Sequence, residues 1–209
     1  MFLLYNKLQT GNIDAAQQDA WLQELPEIKQ GQISRLLHRS DQLRSLAGYQ
    51  LLKTGMTLLK QRDFHLSQLD FTANGRPAHT CPVNFSLSHS GSLVTCALNP
   101  SGKIGIDTEQ HRELPRSLGR YLSAQESQTV KQTPLAFFDI WTRKEAVVKA
   151  ASNKGLADLP LVFLLETDRA EFKNQIWFTR AVPILDDYSI HIATDLPDGD
   201  VRLMMIPLA

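Results

Sequence analysis

The sequence predicts an α+β protein whose chain forms two similar halves, each a mostly antiparallel sheet packed with a long helix. Three observations support this class: two long amphipathic helical patterns, a group of strand-like segments after each of them, and short polar links between those segments. The predicted order is strand, helix, three strands, helix, four strands. We place the boundary so that the halves comprise residues 1–103 and 104–209.

The chain has 209 residues, which is enough to bury a core in one domain or in two halves of about 100 residues each. A hydrophobic content of 43% and a charged content of 21% are typical of soluble globular proteins. Basic and acidic residues balance at 22 each, so the whole molecule has no field that would attract nucleic acid or an anionic membrane. Any charged partner must therefore be recognised locally.

The first residues show no targeting signal, because their apolar run is short and lacks a basic flank. No stretch of the sequence approaches the length of a membrane helix. The two cysteines, Cys81 and Cys96, lack metal-type spacing and are typical of reduced thiols. We therefore expect a cytoplasmic protein without a membrane anchor, and we expect it to be a monomer.

The first half contains the longest helical pattern of the chain, which follows a short strand at residues 2–5 and a short helix around 20–25. This long helix is predicted from Ser40, a good N-cap, to about Lys60. Its apolar positions recur mostly at spacings of three and four, at Leu43, Leu46, Ala47, Leu51, Leu52, Met56 and Leu59. Cations before it and in its first turns form either a solvated basic face or a phosphate site. These cations are Lys29, Arg35, Arg39 and Arg44.

Three strands are predicted next, at residues 83–88, 93–98 and 104–109. The short links between them predict an antiparallel meander. The second link, Asn99–Gly102, suits a type I turn. The first passes through Ser88–Gly91, where the glycine permits a left-handed bend. This places His89 on a turn, where a histidine is more often structural than functional.

Two carboxylates, Asp107 and Glu109, close the third strand of this meander. Side chains alternate between the faces of a strand, so the two carboxylates project to the same side. Like charges this close repel each other, and Mg²⁺ is often held by a few carboxylates together with substrate phosphates. The pair therefore indicates either a metal site or an acidic strand end that faces solvent.

The second long helix is predicted over residues 137–150, with Thr133 as N-cap and Pro134 at the first helical position. Its residues Phe138, Trp141, Glu145 and Lys149 share one stripe, and Phe137 and Val148 lie beside it. Glu145 thus points with the aromatic side chains, where a carboxylate needs a partner. That partner is either Lys149, in a pair on a solvated rim, or a metal or ligand.

The stretch between the third strand and this helix is locally basic, with His111, Arg112, Arg116 and Arg120. After the helix, strands are predicted at residues 161–166, 176–180, 188–194 and 201–206. The polar turns between them predict a second, mostly antiparallel sheet.

Three motifs together are specific: FSLSHSG at 85–91, GIDTE at 105–109 and WTRKEAVVKA at 141–150. In this order and at these separations the sequence resembles the 4′-phosphopantetheinyl transferases of the surfactin-synthetase-activating type, in the subgroup with W-x-x-K-E-A. In weaker form the resemblance extends from about residue 29 to residue 163.

The resemblance implies transfer of the phosphopantetheine arm of coenzyme A to a serine of an acyl or peptidyl carrier protein, with release of 3′,5′-ADP. It implies two pseudo-symmetric halves with coenzyme A in the cleft between them. Mg²⁺ would be held by Asp107, Glu109 and Glu145, and catalysis would fall to Asp107, Glu145 and Lys149. The residues implied to contact coenzyme A are Lys29, Arg44, Ser45, Arg76, Ser88 and His89.

Two positions depart from the family pattern. Gln32 stands where a second lysine is usual, so the 3′-phosphate would be held less tightly, or by Arg35 or Arg39. Thr108 stands where isoleucine is common, and its side chain should face away from the metal.

Two other classes use the same residues. One is another Mg²⁺-dependent phosphodiester enzyme, a nuclease or nucleotide hydrolase, and the neutral charge balance argues against a nucleic-acid substrate. The other is a non-catalytic carrier-protein or nucleotide-binding module. Such a module is expected to have lost a metal carboxylate or Lys149, whereas all four of these residues are present here. Carrier proteins are usually acidic around their serine, so the basic stretch after Gln110 is the expected docking surface.

Overall fold

The computed structural model describes residues 1–71, 77–113, 116–152, 155–197 and 199–208. The helices are α1 Ala15–Gln23, α2 Glu27–Ser34, α3 Arg39–Leu58, α4 Ala124–Gln132 and α5 Ala136–Ala150. The strands are β1 Phe2–Lys7, β2 Asp70–Phe71, β3 Pro77–Ala78, β4 Asn84–Ser90, β5 Leu93–Asn99, β6 Ile104–Gln110, β7 Phe163–Leu164, β8 Arg169–Phe172, β9 Gln175–Ala181, β10 Tyr188–Thr194 and β11 Arg202–Met205. Short 3-10 turns cover Thr10–Asn12, Leu66–Gln68, Arg116–Tyr121 and Gly155–Leu161.

Two main sheets organise these strands. The first has the order β11-β1-β5-β4 and the second the order β6-β10-β9-β8-β7, while β2 and β3 form a small hairpin. All pairs are antiparallel except β1 with β11. Helix α3 packs on the first sheet and α5 on the second. The prediction of an α+β protein with mostly antiparallel sheets and two long helices is therefore confirmed.

The predicted three-strand meander is wrong in its third strand. Strands β4 and β5 pair as predicted, but β6 pairs with β10 and begins the second sheet. A short link between two strands does not force them to pair when other groups accept hydrogen bonds from the backbone amides of the second strand. Here serine hydroxyls of β4, and not its carbonyl groups, accept hydrogen bonds from Ile106, Thr108 and Gln110 of β6. The last predicted strand also changes sheet, since β11 lies parallel to β1 and not among the strands of the second half.

Buried apolar side chains form three clusters in a layered arrangement. The first lies between α3 and the first sheet and includes Leu46 and Cys96. The second lies between α5 and the second sheet and includes Val147 and Trp177. The third joins residues of β1 and β5 to residues of β6 and β10, Ile106 among them, so the two sheets pack on each other. None of the helices within the described ranges is both long and apolar enough to traverse a lipid bilayer.

The β4–β5 loop differs slightly from its prediction. Gly91 is left-handed as expected, with φ of 54°, but the loop consists of Gly91 and Ser92. His89 therefore lies on strand β4 and not on a turn. Because alternate residues of a strand face opposite sides, this correction sends Ser88 and His89 in opposite directions.

Helix α4 was not predicted, although the sequence contains its start signal. Ser123 accepts from the Glu126 amide at 3.1 Å and the Ser123 amide donates to Glu126 at 2.7 Å, which is a capping box. Thr133 ends α4 and does not cap α5. The chain then turns through Pro134, whose carbonyl accepts from the Phe137 amide, and α5 begins at Ala136 without a side-chain cap.

Candidate active site

A pocket of about 480 Å³ is lined by residues from both of the predicted halves. The first half contributes Lys29, Ser45, Gly48, Tyr49, Pro77, Leu87, Ser88 and His89 to its lining, and the second contributes Asp107, Glu109, Trp141, Glu145, Lys149 and Leu156. A second cavity of about 540 Å³, lined in part by Asp168, Arg169 and Arg180, does not include any of the predicted site residues. The first pocket therefore brings together eight of the predicted residues: Lys29, Ser45, Ser88, His89, Asp107, Glu109, Glu145 and Lys149.

Asp107 lies at the floor of this pocket, on the face of β6 that α5 covers. Its Oδ1 accepts from Ser88 Oγ at 2.9 Å and from Lys149 Nζ at 2.6 Å. Its Oδ2 is buried and has no hydrogen-bond partner among the described residues. A buried carboxylate oxygen without a partner is costly. This oxygen is therefore suited to a further donor or a cation.

Glu109 and Glu145 line the same pocket as Asp107, and the pKa of each of these two glutamates is raised. Burial raises the pKa of Glu145 to about 7, and Asp107 and Glu109 add to the rise while Lys149 opposes it. Burial also raises the pKa of Glu109, followed in size by the effect of Asp107, while Ser90 and Arg112 oppose it. Burial and repulsion between neighbouring carboxylates therefore both disfavour the charged forms of Glu109 and Glu145, and a bound divalent cation would favour them.

Asp107, Glu109 and Glu145 fit a Mg²⁺ site by the chemistry of their oxygen donors, by their mutual repulsion and by the unpartnered Oδ2 of Asp107. Within the described ranges, however, no three acidic, histidine or cysteine side chains already stand close enough together to enclose a metal ion. The ammonium group of Lys149 lies on Asp107 instead. The metal ligands therefore stay a prediction.

Lys149 resolves one alternative that the sequence left open. Of the two carboxylates within its reach, it forms an ion pair with Asp107 of β6, at 2.6 Å, and not with Glu145 on its own helix. It also donates to Ser88 Oγ at 3.2 Å. The interpretation of Glu145 and Lys149 as an isolated pair on a solvated rim is therefore wrong, because both side chains line the pocket.

The close approach of α5 to β6 depends on Gly105. A methyl group added there would lie 2.0 Å from the Ala146 carbonyl oxygen and 2.5 Å from the Ala150 amide nitrogen. Both are backbone atoms and cannot rotate away. The glycine of the GIDTE motif therefore sets the distance at which Glu145 and Lys149 face Asp107.

The residues predicted to contact coenzyme A are only partly assembled. Lys29 lines the pocket, where its ammonium lies 5.3 Å from the Phe71 ring centroid and 5.8 Å from that of Tyr49. It also donates to Gln32 at 3.2 Å. Arg44 does not line the pocket, because it pairs with Asp41 and donates to the Gly91 carbonyl at 3.1 Å. Arg76 lies outside the described residues.

His89 and Ser88 both line the pocket, and the Ser88 hydroxyl contacts Asp107 and Lys149. The pKa of His89 is lowered by the loss of solvent around its ring and by the cations Arg44 and Lys149. The neutral imidazole is therefore favoured. Thr108 faces away from the carboxylates as expected, and its hydroxyl lies 2.9 Å from that of Thr95.

The basic stretch after Gln110 is less open than its sequence suggests. His111 contacts the Ser189 hydroxyl at 3.0 Å. Arg112 pairs with Glu109 at 3.0 Å. Arg120 folds over the Tyr121 ring, 4.8 Å from its centroid. The side chain of Arg116 lies outside the described residues. Arg120 also donates to the Tyr121 hydroxyl at 2.8 Å, and its side chain is exposed to solvent.

Two features of the site were not predicted. Ser90 and Arg112 both bind Glu109, although the alternating serines of FSLSHSG could have suggested it. Buried Lys144, beside Glu145, pairs with Glu126 at 2.7 Å. Since Glu126 also caps α4, this ion pair joins the start of α4 to α5, and Val130 of α4 packs on the same core cluster as α5. The sequence pattern that could have predicted the start of α4 is the capping box formed by Ser123 and Glu126.

His191 provides a prediction about stability and pH. It is in register with Asp107 on β10, and its Nδ1 lies 2.8 Å from the Thr142 hydroxyl. Burial lowers its pKa from 6.5 to about 4, while Asp139 opposes and Arg143 adds to the shift. As pH falls, this histidine therefore becomes protonated in the unfolded chain at a higher pH than in the folded protein. As pH falls from 6.5 to 4, this group should remove about 3 kcal/mol of stability.

Urea unfolding of the native protein and His191→Gln at several pH values tests this prediction. The variant should lose less stability than the native protein over that interval. The difference between the two curves isolates the histidine from Glu109 and Glu145, whose raised pKa values act in the opposite direction. Parallel curves would contradict a buried neutral histidine.

The segment that contains most of this site resembles known proteins. Residues 103–193, which contain β6, α5 and β10, match the family model of the 4′-phosphopantetheinyl transferase superfamily. This match and the names of the relatives below support an enzyme of the transferase class.

Individual relatives agree with this class. The chain is 35% identical over 108 residues to the 4′-phosphopantetheinyl transferase AcpT of Salmonella typhimurium, covering 46% of this chain and 55% of that protein. It is 37% identical over 121 residues to the 4′-phosphopantetheinyl transferase HetI of a Nostoc species, covering 52% and 51%. The chain thus spans about half the length of these curated relatives. A 4′-phosphopantetheinyl transferase of Bacillus subtilis is 25% identical over 205 residues, covering 94% of this chain and 82% of that protein.

Proposed function

We propose that the protein is a 4′-phosphopantetheinyl transferase. It transfers the phosphopantetheine group of coenzyme A to a serine of an acyl or peptidyl carrier protein, in a Mg²⁺-dependent reaction that releases 3′,5′-ADP. The serine oxygen forms a bond to the phosphorus next to the pantetheine arm, and the bond from that phosphorus to the oxygen shared with ADP breaks. The serine proton leaves to a base in the site.

The observation that carries this proposal is the convergence of Asp107, Glu109, Glu145 and Lys149 on one pocket, inside the segment that matches the superfamily. A pocket lined by both halves suits a cosubstrate that lies in the cleft between two pseudo-symmetric units. The two lysines of its lining, Lys29 and Lys149, suit an anionic ligand. The subgroup with W-x-x-K-E-A belongs to the same proposal.

The side chains of the pocket suit phosphoryl transfer, which depends mainly on positioning and charge neutralisation. Bound Mg²⁺, held by Asp107, Glu109 and Glu145, would neutralise the pyrophosphate. Lys149 would stabilise the departing phosphate oxygen. The Glu145 carboxylate, which lines the same pocket, would act as the base that accepts the serine proton.

Incubation with a fluorescent coenzyme A and a panel of apo carrier proteins tests the proposal. We expect Mg²⁺-dependent labelling of a carrier and the release of 3′,5′-ADP in equal amount. Release of the nucleotide without labelling would indicate a hydrolase. Binding of coenzyme A without either product would indicate a non-catalytic module. Carriers of fatty-acid, polyketide and nonribosomal-peptide synthesis belong in the panel, because each presents such a serine.

We further propose that the carrier docks on the basic stretch around Arg116 and Arg120. Reversal of both charges, Arg116→Glu with Arg120→Glu, should raise the Michaelis constant for the carrier several-fold and flatten its salt dependence, because rim charges act mainly on association and are screened by salt. Affinity for coenzyme A should not change. Steady-state kinetics at two ionic strengths measures both effects.

A matched control reverses two arginines away from the pocket, Arg62→Glu with Arg202→Glu. Arg202 lies on β11, at the opposite edge of the first sheet from β4, and Arg62 lines a different cavity. If this control raises the carrier constant as much as the test variant does, the effect is one of net charge and the docking surface lies elsewhere.

The cytoplasm is the proposed location, and a monomer the proposed state. Cys81 and Cys96 are both free thiols, which agrees with a reducing compartment. Gel filtration with light scattering would measure the oligomeric state directly.

A further inference from the structure

Strand β4 carries three serines at every second position, and they form a regular junction with β6. Ser86 Oγ accepts from the Ile106 amide at 3.2 Å, Ser88 Oγ from the Thr108 amide at 3.2 Å, and Ser90 Oγ from the Gln110 amide at 3.1 Å. All three serines are buried. These hydroxyls join the two sheets where a backbone ladder would otherwise run.

Two of the three serines make a second set of bonds that follows one pattern. Ser88 Oγ donates to Asp107 and accepts from Lys149. Ser90 Oγ donates to Glu109 Oε2 at 2.9 Å and accepts from Arg112 Nη1 at 3.3 Å. In each case the serine hydroxyl contacts three groups: a backbone amide of β6, a cationic side chain, and a carboxylate. The carboxylate belongs to the β6 residue that immediately precedes the amide. For Ser86 the corresponding residue is Gly105, which has no side chain.

The hydrogen-bonding capacity of a hydroxyl explains why this arrangement orients the carboxylate. A serine hydroxyl has one proton and two lone pairs. At Ser90 both lone pairs receive N–H donors, from Gln110 and Arg112. The single proton is thereby directed to Glu109. Arg112 binds the same oxygen, Oε2, at 3.0 Å, so neither partner uses Oε1.

We propose that Ser90 is a positioning residue for metal binding, which acts with Arg112 to hold Glu109 in one orientation. Glu109 is the carboxylate of β6 that needs this support, because its longer side chain is 21% exposed whereas that of Asp107 is 8% exposed. A ligand that is ordered before the metal arrives loses less freedom on binding. The proposal rests on the proposed function, because it assigns Glu109 to the metal.

Ser90 is a better test of this arrangement than Arg112. The Arg112 side chain is 55% exposed and lies in the proposed docking stretch, so its replacement would alter two properties at once. Ser90 is buried and does not line the pocket. A change at Ser90 therefore reaches the metal through Glu109.

The experiment measures Mn²⁺ binding to the full chain by electron paramagnetic resonance in the presence of coenzyme A, and the Mg²⁺ dependence of carrier labelling. Ser90→Ala should weaken Mn²⁺ binding about tenfold, as loss of an outer partner of a metal ligand commonly does. The Mg²⁺ concentration for half-maximal labelling should rise by a similar factor, while the rate at saturating Mg²⁺ stays near that of the native protein. Ser90→Thr, which keeps the hydroxyl, should restore both values.

Ser86→Ala is the matched control, because it removes the same kind of backbone acceptor but no carboxylate contact. It should lower the thermal midpoint and leave Mn²⁺ affinity unchanged. Equal affinity losses in Ser86→Ala and Ser90→Ala, or native affinity in Ser90→Ala, would overturn the proposal. If Ser90→Ala does not fold, Ser90→Cys, whose thiol is a weaker donor, provides the same comparison. If the native protein does not label any carrier, the proposed function is rejected. The Mn²⁺ measurement does not depend on labelling, so it tests the role of Ser90 separately.

Discussion

Replacing Glu145 by glutamine is expected to lower the rate of carrier labelling by about 10²- to 10⁴-fold, the range for losing a positioned acid–base group. The amide has nearly the shape of the carboxylate, so the fold should be kept. What is lost is a negative charge that shares the pocket with Asp107 and Glu109. Asp107→Ala should have a comparable effect, because it removes the partner of Lys149 together with the unpartnered buried oxygen.

Single-turnover labelling with fluorescent coenzyme A, alongside circular dichroism, measures this effect. Glu166→Gln is the matched control, since it makes the same chemical change in a surface ion pair with Arg169. Labelling by Glu145→Gln at the native rate would show that the central assignment is wrong. A loss equal to that of Glu166→Gln would point to a general effect of charge.

The second large effect is expected at Gly105, where alanine should destabilise the fold by about 3 kcal/mol or more. Overpacking in a core commonly costs about 1–3 kcal/mol, and here the added methyl group meets backbone atoms of Ala146 and Ala150. The helix has to move away from β6 for it to fit. Since Glu145 and Lys149 lie on that helix, labelling should also fall in whatever fraction of the protein stays folded.

Gly31→Ala is the matched control for this change. Gly31 lies in α2, and a methyl group added there would meet no heavy atom within 4 Å. This substitution should be neutral or slightly stabilising, because alanine favours the helix more than glycine does. Urea unfolding measures both variants. Native stability in Gly105→Ala would show that α5 and β6 can separate at little cost.

Much of the site could be predicted because strands and helices have fixed periods. The period of a strand places Asp107 and Glu109 on one face and Thr108 on the other, as the structure confirms. The period of a helix places Glu145 and Lys149 on one stripe, and both line the pocket. Helix α3 also lies within two residues of its predicted ends, with bounds at Arg39 and Leu58.

The rest depended on contacts between distant residues, which local patterns do not contain. Sequence could not show that β6 leaves β5 to pair with β10, because that choice depends on serine hydroxyls that replace a ladder. Nor could it show that Arg44 turns to Asp41 and the Gly91 carbonyl. In both cases a side chain had several possible partners, and tertiary packing selected one of them.

The pairing of β1 with β11 has a consequence for how the chain folds during synthesis. The two strands join residues about two hundred positions apart, from Phe2 with Arg202 to Tyr5 with Met205. One edge of β1 therefore stays uncovered until the ribosome has made the segment that begins at Arg202. Exposed strand edges invite association between chains. A ribosome stalled before Arg202 should consequently carry a nascent chain that binds chaperones more strongly than the released protein does.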